Sequence, residues 1–282
     1  MREGYASRTA EQNALFRALE STLPESRRLF EDHLARTFLT WPLTLVARLA
    51  VVPGLRELVP WLIDNRWPGV RSSVVARTRL IDDAIAASLG EHLEQLVILG
   101  AGFDTRAYRL PCLRGITVFE VDHPDTQTTK RKVLERVLSV PPKHVRFVAL
   151  DFNQRDLASG MAAAGYRESA RTFMLWEGVT NYLTEAAVDT TLRWCSRASP
   201  GSLLLFTYVH RDVLTDGARR IHRHEESLRL SREGRRKADI RDRTERVAGV
   251  PCRTRPVSRE RPWRGGVPEA LLRRCGTQDA RA

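Results

Sequence analysis

The sequence predicts an α/β fold, in which a Rossmann-like, mostly parallel sheet carries helices on both faces. Three observations predict it. Short apolar runs alternate with helix-forming segments, a glycine-rich turn follows the first run, and the next run ends in acidic residues. At 282 residues the chain is long enough to bury the full core of one large domain.

The N-terminal part is predicted to be helical. Residues 8–39 have helical apolar spacing with a break at Pro24, and residues 70–89 have the same spacing before Gly90. Residues 41–63 are apolar but contain charges and prolines, so they predict one or two amphipathic helices rather than a membrane span. Packing in the core or a lid is favoured over contact with a membrane surface.

The sheet strands are predicted from short apolar runs, because strands buried on both faces lack polar alternation. Helix-forming stretches, such as 126–138 and 185–198, separate most of them. The runs are Leu96–Leu99, Ile116–Val121, Val145–Leu150, Thr172–Trp176 and Ser202–Val209.

Three regions follow from this pattern: an N-terminal helical cap or lid (1–90), a Rossmann-like core (91–210) and a basic tail (211–282). The tail carries 20 Lys and Arg against 11 Asp and Glu, whereas the first 210 residues carry 26 against 23. Its Arg- and Pro-rich composition is typical of a disordered segment or of a shifted reading frame. We therefore expect the C-terminal strands to be missing or atypical, which leaves an edge strand unpaired.

Charge and cysteine content exclude some classes. The formal charge of +12 resides mostly in the tail, which argues against a nucleic-acid-binding core. The four cysteines are too far apart for a zinc or redox motif, so no metal site is predicted. Scattered thiols and a polar start without a secretory apolar run predict a cytoplasmic protein.

A glycine-rich turn carries the chemistry. Gly100 and Gly102 follow the first predicted strand, where glycines permit a tight turn and a close approach of a ligand. Asp122 ends the next strand about 20 residues later, the distance at which a carboxylate binds the ribose hydroxyls of a nucleoside.

The turn favours a nucleoside without phosphate. A dinucleotide fingerprint needs a third glycine, but Thr105 occupies that position, and Asp104 would repel a phosphate. S-adenosylmethionine has a ribose and no phosphate, so it fits better than a nicotinamide dinucleotide. Asp104 and Arg106 are expected to pair and shape the turn, and His123 to be solvated or to cap a helix.

Four further segments, in order and with sensible spacing, carry a family resemblance over roughly residues 6–210. They are VILGAGFDTRAYRL, VFEVDHPDTQTTKRKVL, FVALDF and FMLWEGVTNYL, with SRTAEQNALFRALE and VVARTRLIDD before them. The sequence resembles the leucine carboxyl methyltransferase-like family of class I S-adenosylmethionine-dependent methyltransferases, in its actinobacterial O-methyltransferase branch.

The resemblance implies cofactor-binding residues. Arg77 is implied to bind the cofactor's carboxylate, and Gly100 and Gly102 to lie beside its methionyl part. Asp122 is implied to bind the ribose. The alternative for Arg77 is an ordinary arginine on a helix surface.

The ends of the third and fourth strands complete the implied site. Asp151 and Phe152 are implied to contact the adenine, although Asp151 as a strand-end cap is the alternative. Glu177 is expected to hold the sulfonium end or the acceptor. Tyr182 faces the acceptor or packs, two interpretations that the sequence leaves equal. Trp41, Trp61 and Trp67 are expected to pack in the core, with an acceptor pocket as the alternative.

The predicted function is methyl transfer from S-adenosylmethionine to a carboxyl or hydroxyl oxygen of a small molecule, in secondary metabolism. A carboxylate is ionised at neutral pH and needs no base, and no His–Asp pair stands out in the motifs. The first alternative is an inactive methyltransferase-like remnant that at most binds the cofactor. A nicotinamide-dependent oxidoreductase and a nucleic-acid binder acting through the tail are the others.

Overall fold

The N-terminal part of the chain forms four helices. The computed structural model describes residues 5–89, 93–140, 142–152, 157–209 and 273–275. The helices are α1 (Tyr5–Glu20), α2 (Trp41–Leu49), α3 (Leu55–Arg66) and α4 (Val70–Leu89), with a 3-10 turn at Ala35–Phe38. Helix α4 has the predicted bounds, and α2 and α3 are the predicted amphipathic pair.

The prediction of helix up to residue 39 is wrong beyond Glu20. Side chains capture backbone groups there, and this competes with helix formation. Asp32 Oδ1 accepts the N–H groups of Leu34 (3.2 Å) and Ala35 (3.0 Å), and Glu20 Oε1 accepts that of Leu29 (2.7 Å). The segment is therefore an ordered connection held by polar side chains.

A six-stranded sheet follows, in the order β3-β2-β1-β4-β5-β6. The first five strands are parallel and the sixth is antiparallel to β5, so the predicted α/β class is confirmed. The strands are β1 (Gln95–Leu99), β2 (Thr117–Asp122), β3 (Val145–Ala149), β4 (Thr172–Trp176), β5 (Ser202–Phe206) and β6 (Arg273–Cys275). The helices between them are α5 (Arg106–Arg109), α6 (Pro124–Val137), α7 (Leu157–Ala163) and α8 (Glu185–Cys195).

Helices cover both faces of the sheet. Along β1 the side chains alternate, so Ile98 packs on one face with Ile81 of α4, while Val97 packs on the other with Met161 of α7 and Trp194 of α8. Every residue of β1 and β4 is buried. This two-sided burial explains the unbroken apolar runs of the sequence.

The N-terminal helices and the sheet share their packing. Helix α4 contributes to the core on one face of the sheet, and its Val74 joins a second core with α1 and α2. This second core contains Leu15, Phe16, Leu19, Ala47, Ala50 and Val74. Helix α4 therefore connects the predicted cap to the sheet.

The tail contributes a strand that the sequence did not predict. Residues Arg273–Cys275 pair antiparallel with β5, in the register Ser202↔Cys275 and Leu204↔Arg273. A single strand of three residues is an atypical C-terminal end, as expected. Because this strand pairs with β5, the expectation of an unpaired edge strand is wrong. With only three residues and Arg-rich composition, β6 gives almost no periodic signal, which is why sequence patterns missed it. The remainder of the tail lies outside the described residues.

The three tryptophans expected in the core lie on the surface instead. Trp41, Trp61 and Trp67 are 78%, 59% and 53% exposed, so that prediction is wrong. Helices α2 and α3 carry apolar residues around their circumference, and their inner positions are filled by other side chains such as Val46 and Ile63. Within the described part of the chain, no helix is long and apolar enough to cross a membrane.

Candidate active site

A cleft opens at the carboxyl ends of β1 to β4. The chain runs from β1 to β2 and β3 on one side and then crosses to β4 on the other side of β1, so the strand order reverses between β1 and β4. Open sheets bind ligands at such a point. Of the eight residues expected to contact the cofactor or the acceptor, seven line this cleft: Gly100, Gly102, Asp122, Asp151, Phe152, Glu177 and Tyr182. Arg77 is the exception.

The glycine turn is fixed to the neighbouring strand. Val121 O accepts the N–H groups of both Gly100 (2.7 Å) and Ala101 (3.0 Å). Gly100 has φ +70°, and a Cβ added there would overlap a methyl group of Val179, in the loop after β4. The lack of a side chain at Gly100 therefore lets the loop after β4 approach the turn, in addition to any ligand.

Asp122 is oriented by two backbone donors. Its Oδ2 accepts the N–H of Gly102, and its Oδ1 accepts that of His123 at 2.6 Å. Burial raises the pKa of the Asp122 carboxyl, and the two backbone hydrogen bonds partly oppose that rise. A hydrogen bond therefore joins the glycine turn to Asp122 at the wall of the cleft.

Asp104 occupies the start of α5. Its Oδ1 accepts the N–H of Arg106 (2.7 Å), and its Oδ2 lies 2.5 Å from Arg106 Nη1, which confirms the predicted pair. Burial alone would raise the pKa of Asp104, but the Arg106 guanidinium outweighs it and lowers the pKa to about 2. A fixed negative charge therefore lies where a dinucleotide fold binds pyrophosphate.

His123 caps α6. Its Nδ1 accepts the N–H of Asp125 at 3.3 Å, so the capping interpretation is confirmed. A ring whose Nδ1 accepts a hydrogen bond carries its proton on Nε2 when it is neutral. In that tautomer neither nitrogen has a free lone pair for a substrate proton.

Known proteins match this chain along most of its length. The family model described as leucine carboxyl methyltransferase matches residues 10–196. The chain belongs to the leucine carboxyl methyltransferase family. This confirms the family resemblance and S-adenosylmethionine as the cofactor.

Two relatives of the family are classed as S-adenosyl-L-methionine-dependent methyltransferases. One, from Streptomyces coelicolor, is 34% identical over 212 residues, which cover 73% of this chain and 70% of the relative. Another, from Mycobacteroides abscessus, is 34% identical over 211 residues, covering 73% and 67%. A solved structure classed as a methyltransferase, from Thermobifida fusca, aligns with a TM-score of 0.45 at 17% identity, covering 83% of this chain and 79% of its own.

The cleft is compatible with the cofactor of the leucine carboxyl methyltransferase family. It offers a carboxylate, Asp122, at the end of β2 and an aromatic ring, Phe152, after β3. The start of α5 is occupied by the ionised carboxylate of Asp104, so the turn provides no phosphate site. These features suit a ribose and an adenine in a molecule that has no phosphate.

Glu177 is half-buried between two arginines. Its Oε1 lies 2.6 Å from Arg77 Nε and its Oε2 2.9 Å from Arg106 Nη1. Burial raises the pKa of Glu177, but Arg106 and then Arg77 reverse the effect and keep the pKa below its usual value. Arg77 therefore contacts the cleft through Glu177 and is not itself among the lining residues.

Further charged residues lie beyond the contact between Glu177 and Arg106, and no sequence pattern pointed to them. Arg106 Nε also lies 2.8 Å from Asp82 Oδ1, and Arg109 Nη2 lies 2.7 Å from Asp82 Oδ2. A separate buried ion pair joins Asp32 to Arg17 at 2.9 Å. The partners in these ion pairs lie 15 to 27 positions apart in the chain, so no local pattern could reveal them.

Helix α1 forms one wall of the cleft, which the sequence also did not show. Thr9, Ala10 and Asn13 line the cleft, and Thr9 Oγ1 lies 3.0 Å from Tyr182 Oη. The only sequence signal was the family-like segment around these residues. Tyr182 thus lines the cleft and also connects α1 to the loop after β4.

Among the residues that the structure describes, no group of three His, Cys, Asp or Glu side chains could hold a metal ion. In this part of the chain, neither Cys112 nor Cys195 forms a disulfide. Cys112 is exposed and Cys195 is buried.

Proposed function

We propose that the protein transfers the methyl group of S-adenosylmethionine to an oxygen atom of a small molecule, with a carboxylate as the favoured acceptor. The observation that carries the proposal is that the glycine turn and Asp122 line the same cleft. Asp104 leaves no phosphate site at the turn, and the carboxylate of Asp122 is oriented by backbone hydrogen bonds. Family membership supports the methyl transfer, and the acid–base properties of the cleft support the choice of acceptor.

Each cleft residue has a proposed role. Asp122 binds the ribose hydroxyls, and Asp151 with Phe152 contacts the adenine. Gly100 and Gly102 shape the wall beside the methionyl part. The bound cofactor supplies a methyl group on a positively charged sulfur.

Glu177, Arg77 and Tyr182 complete the proposed site. Glu177 is ionised and half-buried, so it places a negative charge near the cationic sulfonium end. Arg77 binds the carboxylate of the cofactor, and its ion pair with Glu177 also orients that side chain. Tyr182 lies at the wall shared with α1 and positions the acceptor.

The acid–base groups favour an acceptor that arrives ionised. Asp104 and Glu177 have lowered pKa values and are held in ion pairs, so they are poor proton acceptors. The His123 Nδ1 is occupied by a helix N–H. A carboxylic acid is already ionised at neutral pH, whereas a phenol or alcohol must lose a proton first. The main task of the protein is then to hold acceptor oxygen and methyl group in line.

The regional organisation is also a proposal. Residues 1–90 form a cap whose α1 closes the cleft, residues 91–210 form the cofactor-binding core, and residues 211–282 form a basic extension. The wall residues Thr9 and Asn13 support the role of the cap. The lack of a disulfide at Cys112 and Cys195 supports a reducing, cytoplasmic location.

Turnover with a panel of acceptors tests the proposed function. Purified protein is incubated with S-adenosylmethionine and matched carboxylic acids, phenols and amines, and products are identified by mass spectrometry. Methyl esters are hydrolysed by mild alkali, whereas methyl ethers and methylamines are stable. We expect alkali-labile products; methylation of amines only would contradict O-methylation. Cofactor binding without turnover across the panel would favour the inactive remnant.

A matched pair of aspartates tests the cofactor site. Asp122→Ala should abolish measurable S-adenosylmethionine binding in calorimetry, because it removes the half-buried carboxylate proposed to bind the ribose. Asp125→Ala, three residues later on an exposed position of α6, should bind as the unsubstituted protein does. Unchanged affinity in Asp122→Ala would refute the assignment of the ribose site.

A further inference from the structure

The outer faces of α2 and α3 expose an unusual concentration of apolar side chains. Of the fifteen large apolar residues exposed in the described part of the chain, ten lie between Trp41 and Val70. We define residues 41–70 as the α2–α3 surface. Scattered exposed apolar residues are ordinary, but a cluster of this kind marks a surface that contacts something else.

These exposed residues are not needed for the packing of the two helices. Both helices already place an inner face on the core shared with α1 and α4, through residues such as Val46 and Val59. The connection between the helices is apolar as well, since Val51 and Val52 are exposed before Pro53. Turns in contact with water usually carry polar residues, so an apolar one suggests a dry partner.

The acidic groups of the α2–α3 surface are neutralised. Glu57 lies 2.7 Å from Arg27, and Asp64 lies 2.5 Å from Arg71. Both carboxylates are thus paired with arginines that lie outside residues 41–70.

The arginines within the surface are therefore in excess over its acids. Arg48 and Arg66 are exposed, and the Arg66 guanidinium lies over the Trp67 ring at 5.2 Å from its centroid. Among the residues that the structure describes, no carboxylate forms a salt bridge with Arg48 or Arg66, so the surface combines three exposed tryptophans with uncompensated positive charge.

We propose that the α2–α3 surface docks on an anionic lipid bilayer. Tryptophan is enriched where hydrocarbon meets headgroups, and arginines beside it attract anionic headgroups. An apolar helix face bordered by basic residues is the arrangement that lies in the interface without crossing the bilayer. The surface lies outside the cleft, so this attachment is independent of the proposed acceptor.

Charge argues for lipid over a second copy of the chain. In a two-fold symmetric dimer the same patch meets itself, so Arg48 and Arg66 would face like charges across the contact. An anionic bilayer instead complements them.

Vesicle flotation tests the proposal with the full-length protein. We expect the protein to float with vesicles of phosphatidylcholine and phosphatidylglycerol in equal parts, and to remain behind with phosphatidylcholine alone. The Trp41→Ser/Trp61→Ser variant should partition at least about tenfold more weakly, because it loses two large apolar side chains. Arg48→Ala/Arg66→Ala should lose about fivefold for each arginine.

The control removes an exposed apolar residue elsewhere. Val140, which is 72% exposed and precedes β3, is replaced by glutamate, and this variant should float as the unsubstituted protein does. The proposal is overturned if the tryptophan variant floats undiminished, since the basic tail would then account for binding. It is also overturned if the protein ignores anionic vesicles but sediments as a dimer that the tryptophan variant dissociates.

Discussion

The backbone at Gly100 has φ +70°, a conformation that residues with a Cβ adopt at a cost. The position also faces Val179, whose side chain fills the space that a Cβ would need. Sequence alone attributed this glycine to a tight turn and a close ligand. The structure adds contact with the loop that follows β4, which is a second reason for the residue type.

Gly100→Ala should therefore lower the free energy of unfolding by about 2–4 kcal/mol, from backbone strain and overlap together. Urea denaturation of the two proteins measures the difference. Gly115→Ala is the matched control, because a Cβ at Gly115 meets nothing within 4 Å and should change stability little. Adding Val179→Ala should restore part of the loss in Gly100→Ala; equal stability of both alanine variants would contradict this account.

At the scale of elements, Arg106 joins three parts of the fold. It is buried, and its guanidinium contacts Asp104 in the glycine turn, Asp82 on α4 and Glu177 after β4. These negative charges raise the pKa of Arg106 despite its burial. Removing one partner of a buried ion pair is costly because the remaining charges lose their compensation.

Arg106→Met should destabilise the protein by about 3–5 kcal/mol, since buried Asp82 and half-buried Asp104 and Glu177 lose a shared, buried cation. Denaturation in urea at neutral pH gives the magnitude. Arg193→Ala removes the exposed partner of Asp189 on α8 and should have little effect. A similar small loss for both variants would mean that the Arg106 contacts contribute no more than a surface pair.

Elements with strong periodic signals were predictable, and those fixed by distant polar contacts were not. Strand β4 and helix α4 have the predicted bounds because each is decided by its own apolar pattern. The segment after Glu20 was mispredicted because Asp32 and Glu20 bind its backbone. The roles of Arg77 and the other cleft residues stay predictions.

At the scale of the whole molecule, the tail adds a strand to the sheet. Strand β6 pairs with Ser202, Leu203 and Leu204 of β5, so the backbone groups on that edge are not all left to solvent. An uncovered edge strand is a template for pairing between chains.

A chain ending at Val209 should therefore aggregate more readily and melt at a lower temperature than a chain ending at Gly276, which retains β6. Light scattering during a thermal ramp measures both properties. Both truncated chains lack the same final six residues, so those residues cannot account for a difference. Identical melting and scattering would show that the β5–β6 pairing does not protect the edge.

The sequence by itself determined the parallel sheet, the glycine turn and the carboxylate at Asp122, because apolar periodicity and residue spacing are local properties of the chain. It also determined the family, through four motifs in order. Only the tertiary structure decided that Arg77 contacts Glu177, that α1 forms a wall of the cleft and that Trp41 is exposed. These three features depend on contacts between residues that are far apart in the chain. Such contacts decide burial and ion pairing, and the neighbouring residues in the sequence do not.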